Sequence, residues 1–191
     1  MSIGSAVLLG LVVLTLVYGV VIYNGLVQLK HNLAKAWANI DVLLKQRHDE
    51  LPKLVEVCRQ YKQFEQDTLA RVTEARARVA QARETHDVPA LGAAEQLLRS
   101  GLGQIFAVAE AYPELRANEH FMQLQSRITA LENAIADRRE WYNEAVNVHN
   151  VRIEQFPDLL IARPLGYSEQ PLLQFSIAEK ADVDLKALFG S

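Results

Sequence analysis

The chain has one cysteine, Cys58, among 191 residues. An intramolecular disulfide is therefore excluded, and so is a metal cage built on thiolates. Aromatic residues make up only 7% of the chain and charged residues 23%, while half of it is hydrophobic. Aliphatic side chains must carry the core, and a wholly disordered chain is ruled out. Neither sign of charge dominates. Twenty Lys and Arg against 23 Asp and Glu leave −3 at pH 7, which gives no basic footprint for nucleic acid. Nine glycines and six prolines leave long stretches free for helix. The length suits one domain with an appendage, not two full domains.

Charge is also missing from one particular place: no charged side chain precedes Lys30. Residues 3–22 read IGSAVLLGLVVLTLVYGVVI, with Ser5 and Thr15 as the polar members. At 1.5 Å per residue this run is about 30 Å long, the thickness of a bilayer core. Ile3, Val7, Leu11, Leu14, Val17, Val21 and Ile22 are therefore expected to lie in a membrane span. A cleaved signal peptide calls for a basic start, a shorter apolar core and a small-x-small site, and none stands here cleanly. Helices buried in a soluble core rarely stay apolar on every face for so long. Lys30, Lys35, Lys45 and Arg47 follow the run and no basic residue comes before it. The positive-inside rule then puts the N-terminus outside and residues 30–191 in the cytoplasm.

Beyond the span, apolar residues recur at three- and four-residue steps: Leu26, Leu29, Leu33, Trp37, Ile40 and Leu44, then Leu51, Val55, Cys58 and Tyr61, then Leu69, Val72 and Val79. This is a helical seam. Because its phase survives Pro52, the spacing predicts one helix kinked at that proline and ending near Thr85–Pro89. A further helix is expected from about Ala90 to Ala111, with Gly101 and Gly103 as points of close helix contact. The last begins at an Asn118 cap, carries Phe121, Leu124, Ile128, Leu131, Ile135, Tyr142, His149, Ile153 and Phe156, and stops at Pro157. Residues 23–84 and 90–156 would then form arms of about 93 and 100 Å, an antiparallel pair returning Phe156 towards Tyr23. In the tail, Leu173, Phe175 and Ile177 alternate with polar residues, as do Val183 and Leu185, the pattern of short strands. The expected fold class is all-α: a transmembrane anchor and flank over 1–29, an elongated antiparallel helical bundle over 30–156, and a C-terminal tail over 157–191 with short strands, which would need a neighbouring surface to be stable.

Two long blocks, YNGLVQLKHNLAKAWANIDVLLKQRHDELPKLVEVCRQY and EAYPELRANEHFMQLQSRITALENAIADRREWYNEAVNVHNVRIEQFP, resemble the signature of the LemA family. The similarity runs over residues 20–166 and keeps the order transmembrane helix, YN, AW, IDV, RHD-x-x-P, AYP, YN, FP. The resemblance implies a bacterial membrane protein with one N-terminal span and an elongated α-helical soluble domain, and a link to a magnetosome-membrane relative. It supplies no mechanism. After Gly166-Tyr167 the tail departs from the aromatic-rich ending common in the family. With the charge bias, the resemblance implies the bacterial inner membrane.

No convergent chemistry is apparent. The five histidines stand singly, without metal-ligand spacing, and His149 falls on an apolar stripe as a core residue would. His48, Asp49 and Glu50 are adjacent and point in different directions on a helix. Gly101-Leu102-Gly103 lacks the third glycine of a phosphate loop. No catalytic, metal or cofactor residues are assigned. Asparagines are more telling. Asn24, Asn32 and Asn39 lie near one helical face, and Asn143, Asn147 and Asn150 form a second stripe. Amides in a seam specify register or oligomeric state, although solvent-facing positions are as plain a reading. Arg47 and Arg138 fall close to the seam, and Asp41 is a facing carboxylate for a partly buried pair. Trp37, Pro52, Tyr142, Phe175 and Ile177 complete the assembly candidates. The expected function is a membrane scaffold that self-associates and presents a surface to another envelope protein, with no nucleic acid or small-molecule substrate. The alternative is a non-self-assembling accessory subunit that regulates a membrane enzyme such as a protease. A hydrolase comes third, because thin helical arms offer little concavity for a pocket.

Overall fold

A computed structural model describes residues 3–61 and 64–174, and every regular element among them is an α-helix. Helix α1 spans Ile3–Arg59, α2 Gln66–Glu84, α3 Val88–Ala109, α4 Pro113–Arg116, α5 Glu119–Glu154 and α6 Leu159–Ala162. The chain divides into two compact units. One comprises residues up to Ala38 with Glu140–Pro171, the other Asn39–Arg139 with residues from Leu172 onward.

In the second unit, α1 does not run on to residue 84 as its apolar phase predicts. It continues through Pro52 and stops at Arg59. Turn hydrogen bonds from Tyr61 N–H to Cys58 O (3.1 Å) and from Phe64 N–H to Tyr61 O (2.9 Å) reverse the chain. The reversal contains neither glycine nor proline. What holds it is the ring of Phe64, which is buried and tilted against Tyr112 with centroids 5.8 Å apart. Helix α2 then returns antiparallel to α1, as shown by Arg83 Nε to Asp41 Oδ1 at 3.3 Å and Arg76 Nε to His48 O at 2.9 Å. A left-handed His86 (φ 55°) and an Asp87 cap, whose Oδ1 accepts from Ala90 N–H at 3.0 Å, turn the chain into α3. Asn118 caps α5 in the same way, through Phe121 N–H at 3.1 Å, as its position predicts. The antiparallel bundle is present, but it is built from α1, α2, α3 and α5, and the two-arm connectivity is replaced because the chain turns back after Arg59 into α2.

Gly101 and Gly103 separate cleanly. A Cβ on Gly101 would stand 2.8 Å from Cγ2 of the buried Val72, whereas one on Gly103 would meet nothing within 4 Å. Gly101 therefore lets α3 approach α2, and Gly103 does not serve packing. Because a β-branched neighbour has little room to turn away, Gly101→Ala should destabilise by about 1–3 kcal/mol. Gly103→Ala should stabilise by about 0.5–1 kcal/mol. Thermal unfolding of the two variants in one detergent checks the pair; equal melting temperatures would show that α2 and α3 can separate at no cost.

The first unit pairs the N-terminal part of α1 with the C-terminal part of α5, antiparallel. Trp37 and Tyr142 meet edge to face with centroids 5.7 Å apart, and Arg152 Nη2 lies 3.9 Å from where a Cβ on Gly25 would be. After α5 the chain passes a cis Phe156–Pro157 bond into α6, which packs back on α1. Residues 167–171 follow without regular structure. No strand occurs over 157–174, and Phe175, Ile177, Val183 and Leu185 lie outside the described residues.

Candidate functional site

The apolar N-terminal stretch of α1 is long and apolar enough to cross a membrane. Ile3, Val7, Leu11, Leu14, Val17 and Val21 are all exposed, as side chains facing lipid should be. Thr15 Oγ1 bonds its own helix at Leu11 O (2.9 Å), so this hydroxyl needs no water. Ile22 differs from the other span residues. It is buried with Leu26, Ile153 and Ala162, and marks where α1 leaves the exposed run and enters the packed part of the first unit.

The asparagine stripes do not come together as one polar seam. Asn24, Asn32, Asn39 and Asn147 are exposed, and Asn143 is half-buried. Asn150 is engaged within its own chain: its Nδ2 donates to Gln170 O and its Oδ1 accepts from Gln170 N–H, both at 2.9 Å. Beside it, Tyr142 OH donates to Pro171 O at 3.3 Å, and the Nε2–H of buried His149 faces Ser168 O at 3.2 Å. Three α5 side chains thus bond backbone groups of Ser168, Gln170 and Pro171, for which the described residues offer no strand neighbour. Burial also pushes the Tyr142 phenol above its ordinary value.

Arg47 is buried as its place near the seam predicts, but Asp41 is not its partner. Asp41 pairs with Arg83, and Arg47 reaches Glu95 of α3 through Nη2 and Glu132 of α5 through Nη1. Exposure is 1% for the Arg47 side chain and 0% for Glu95. Arg99 Nε extends the cluster to the other oxygen of Glu132 at 3.4 Å. Burial works against the Arg47 charge, yet the two carboxylates hold its pKa above the ordinary arginine value. Burial pushes Glu95 above the usual carboxylate value even with Arg47 beside it. Sequence reasoning passed over Glu95 and Glu132, although a signal was available. Leu91, Glu95, Leu98 and Leu102 follow four- and three-residue steps, as do Ile128, Glu132 and Ile135, so both acids sit on apolar seams where an unpaired charge would be prohibitive. Arg138, the other candidate arginine, is half-buried.

Pro52 is exposed and lacks the N–H that would bond the carbonyl of His48. Arg76 of α2 fills that role with Nε–H to His48 O at 2.9 Å, while its Nη2 lies 2.6 Å from His48 Nε2. The second contact requires a neutral imidazole whose Nε2 accepts. Burial, then the Arg76 charge, hold His48 below the ordinary histidine value of 6.5. A histidine with a lowered folded-state pKa binds fewer protons than in the unfolded chain. Its contribution is fully present above 6.5 and is lost as pH falls below that value and through the lower folded-state pKa. Melting temperature should therefore drop between pH 7.5 and 5.5, and His48→Gln, which keeps an acceptor and cannot titrate, should flatten that drop. An unchanged slope in the variant would remove His48 as the cause.

Among the described residues, no group of three or more His, Cys, Asp or Glu side chains gathers to hold a metal ion. Cys58 is buried, and its thiol is pushed up to about 12. The polar interior consists of a charge cluster, a proline-orphaned carbonyl and a clamp on the tail, each bonded to this chain's own groups, while Arg47 Nε, Glu95 Oε2, His48 Nδ1 and His149 Nδ1 are buried without a hydrogen-bond partner among the described residues. With the exposed apolar helix, these features define a helical membrane protein whose buried polar groups serve its architecture. The LemA family model matches residues 36–186, and the chain belongs to that family. It is 26% identical over 166 residues to Protein LemA of Metamycoplasma hominis, covering 86% of this chain and 74% of that one. It is also 22% identical over 192 residues to the magnetosome proteins MamQ 1 and MamQ 2 of Paramagnetospirillum magneticum, covering 87% of this chain and 70% of each.

Proposed function

We propose that this protein is a single-pass scaffold of the bacterial inner membrane, its N-terminus outside and its helical domain cytoplasmic, which self-associates and presents a surface to other envelope proteins. It acts without a cofactor, a small-molecule substrate or nucleic acid, and is not an enzyme. The observation that carries the reading is a second apolar stripe on α5. Tyr142, Val146, His149 and Ile153 face inward, yet Trp141 (66% exposed), Val148 and Val151 stand outward on the same helix. Trp141 and Val148 are seven residues apart, the repeat that keeps a seam facing a partner helix. With Leu29, Asn32, Glu140, Glu144 and Ala145 they line an open groove of about 530 Å³ within the first unit. An exposed aromatic and aliphatic strip rimmed by amides and carboxylates has the composition of a protein interface.

Light scattering coupled to size exclusion, on the full chain in mild detergent, should give a protein mass that is a discrete multiple of 21.4 kDa above a dimer. Val148→Asp should lower it to the monomer with helical circular dichroism unchanged. A monomeric parent protein would discard self-association and leave the accessory-subunit reading, in which a stoichiometric partner copurifies from membranes.

A further inference from the structure

Phe156 closes the apolar stripe of α5 that runs in sequence from Phe121 to Ile153, yet it is 79% exposed, while the other residues of that stripe are buried or half-buried. It does not stand alone. Leu160 and Leu165 are exposed on the same corner, which α6 and its flanking residues form beyond the end of α5. The packing of this corner sets its depth. Ile161 Cδ1 lies 4.0 Å from where a Cβ on Gly19 would stand, and Ala162 is buried against Ile22, Leu26 and Ile153. Gly19 is three residues inside the end of the apolar run at Ile22, about 4.5 Å along the helix axis. The corner is thus level with the edge of the bilayer core that the run defines. Tyr18 and Tyr23 are exposed at that level, where aromatic side chains with a polar tip favour the interface.

We propose that residues 156–165 are a second membrane contact, with Phe156, Leu160 and Leu165 entering the boundary between headgroups and acyl chains beside the span. The proposal rests on the membrane reading of residues 3–22. Its occupant is the apolar edge of a bilayer and not an anionic headgroup. Of the basic residues here, Arg152 is tied to Asp158 at 2.5 Å, and Arg163 stands within electrostatic reach of Glu154. Glu154 also lies against Glu169, so the corner has no spare positive charge for an anionic headgroup, and contact with lipid should follow from apolar area. Pinning the chain at two points fixes how α1 is tilted and rotated at the membrane surface, which a single helix leaves free.

Variants of the full chain that each carry one introduced cysteine, labelled with an environment-sensitive maleimide and reconstituted in phosphatidylcholine vesicles, test this. Cys58 is buried with its thiol pushed up to about 12, so labelling at neutral pH is confined to the introduced cysteine. Labels at Leu160→Cys and Leu165→Cys should lose most of their emission to a lipid carrying its nitroxide just below the headgroup. A label at Leu14→Cys should be quenched by a nitroxide near the chain terminus. A label at Leu97→Cys, an exposed leucine of the second unit, should be quenched by neither. Positions 160 and 165 behaving like 97 while 14 is quenched would overturn the proposal and leave the span intact. An unquenched position 14 would overturn the membrane reading itself, and the proposal with it. Quenching at 160 and 165 that appears only with added phosphatidylglycerol would overturn the apolar mode of contact.

Discussion

Replacing Arg47 by methionine should cost about 3–5 kcal/mol of stability, the largest effect expected of any single substitution in this chain. Methionine fills a similar volume, so the loss comes from the carboxylates left behind and not from a cavity. Glu95 has no exposed surface, and among the described residues its guanidinium hydrogen bond comes from Arg47. Glu132 keeps Arg99 at 3.4 Å and some exposure, so it tolerates the loss better. The asymmetry between partners yields a sharper expectation. Arg47→Met combined with Glu95→Leu should be more stable than Arg47→Met alone, because a buried ion pair is worth little against well-packed apolar groups while a half-removed one is expensive. Denaturation of the full chain in one detergent, followed by far-ultraviolet circular dichroism, gives both differences. If Arg47→Met unfolds at the parent midpoint, the cluster is solvated and its charges are not buried.

Arg76→Met should cost about 1 kcal/mol, the low end of what leaving an acceptor unpaired costs, because the His48 carbonyl is only partly buried. The effect depends on another residue. His48 O needs Arg76 because Pro52 cannot supply its helical N–H. In a Pro52→Ala background the backbone restores that donor, and the cost of Arg76→Met should shrink to the part owed to the imidazole contact. A double-mutant cycle isolates the coupling between two residues that share no bond and whose link is a carbonyl belonging to a third. Equal costs in both backgrounds would mean that the carbonyl finds another donor.

The stripes were legible because burial on a helix repeats every three to four residues, and nearly all the named positions, from Leu26 to Ile153, do face inward. The caps at Asn118 and the proline-marked stop at Pro157 were legible because those residues act through their own backbone chemistry. The reversal after Arg59 was not. Cys58, Tyr61, Phe64 and Thr68 keep helical spacing straight across it, so periodicity alone cannot distinguish a helix that continues from one that folds back on the same apolar face. What decides is that Phe64 finds a pocket by Tyr112, a residue nearly fifty positions away, and no local pattern encodes that. Pro52 shows the other case: the apolar phase runs on past it, the helix continues through it, and Arg76 of α2 supplies a donor to the carbonyl that the proline leaves without its helical N–H. Arg47 was placed near a seam from its spacing alone, but its partners lay on two other helices, each hidden as a single acid in an apolar repeat. Phe156 held its phase in sequence, yet α5 ends at Glu154, and past the last helical residue phase no longer says which way a side chain points.

The two units are interleaved along the chain, and this sets an order of assembly. The second unit has all four of its long helical segments once Arg139 has been made, and receives only residues from Leu172 afterwards. The first unit must wait, because its opening part ends at Ala38 and its closing part begins at Glu140. At ribosomal rates that gap is about 5–20 s of synthesis. Throughout it Ile22 and Leu26 have been translated but Ile153 and Ala162 have not. For a nascent chain held at the membrane by its first twenty-odd residues, the later-made unit closes next to the anchor, and until it does, lipid or another chain is the available cover for that apolar face.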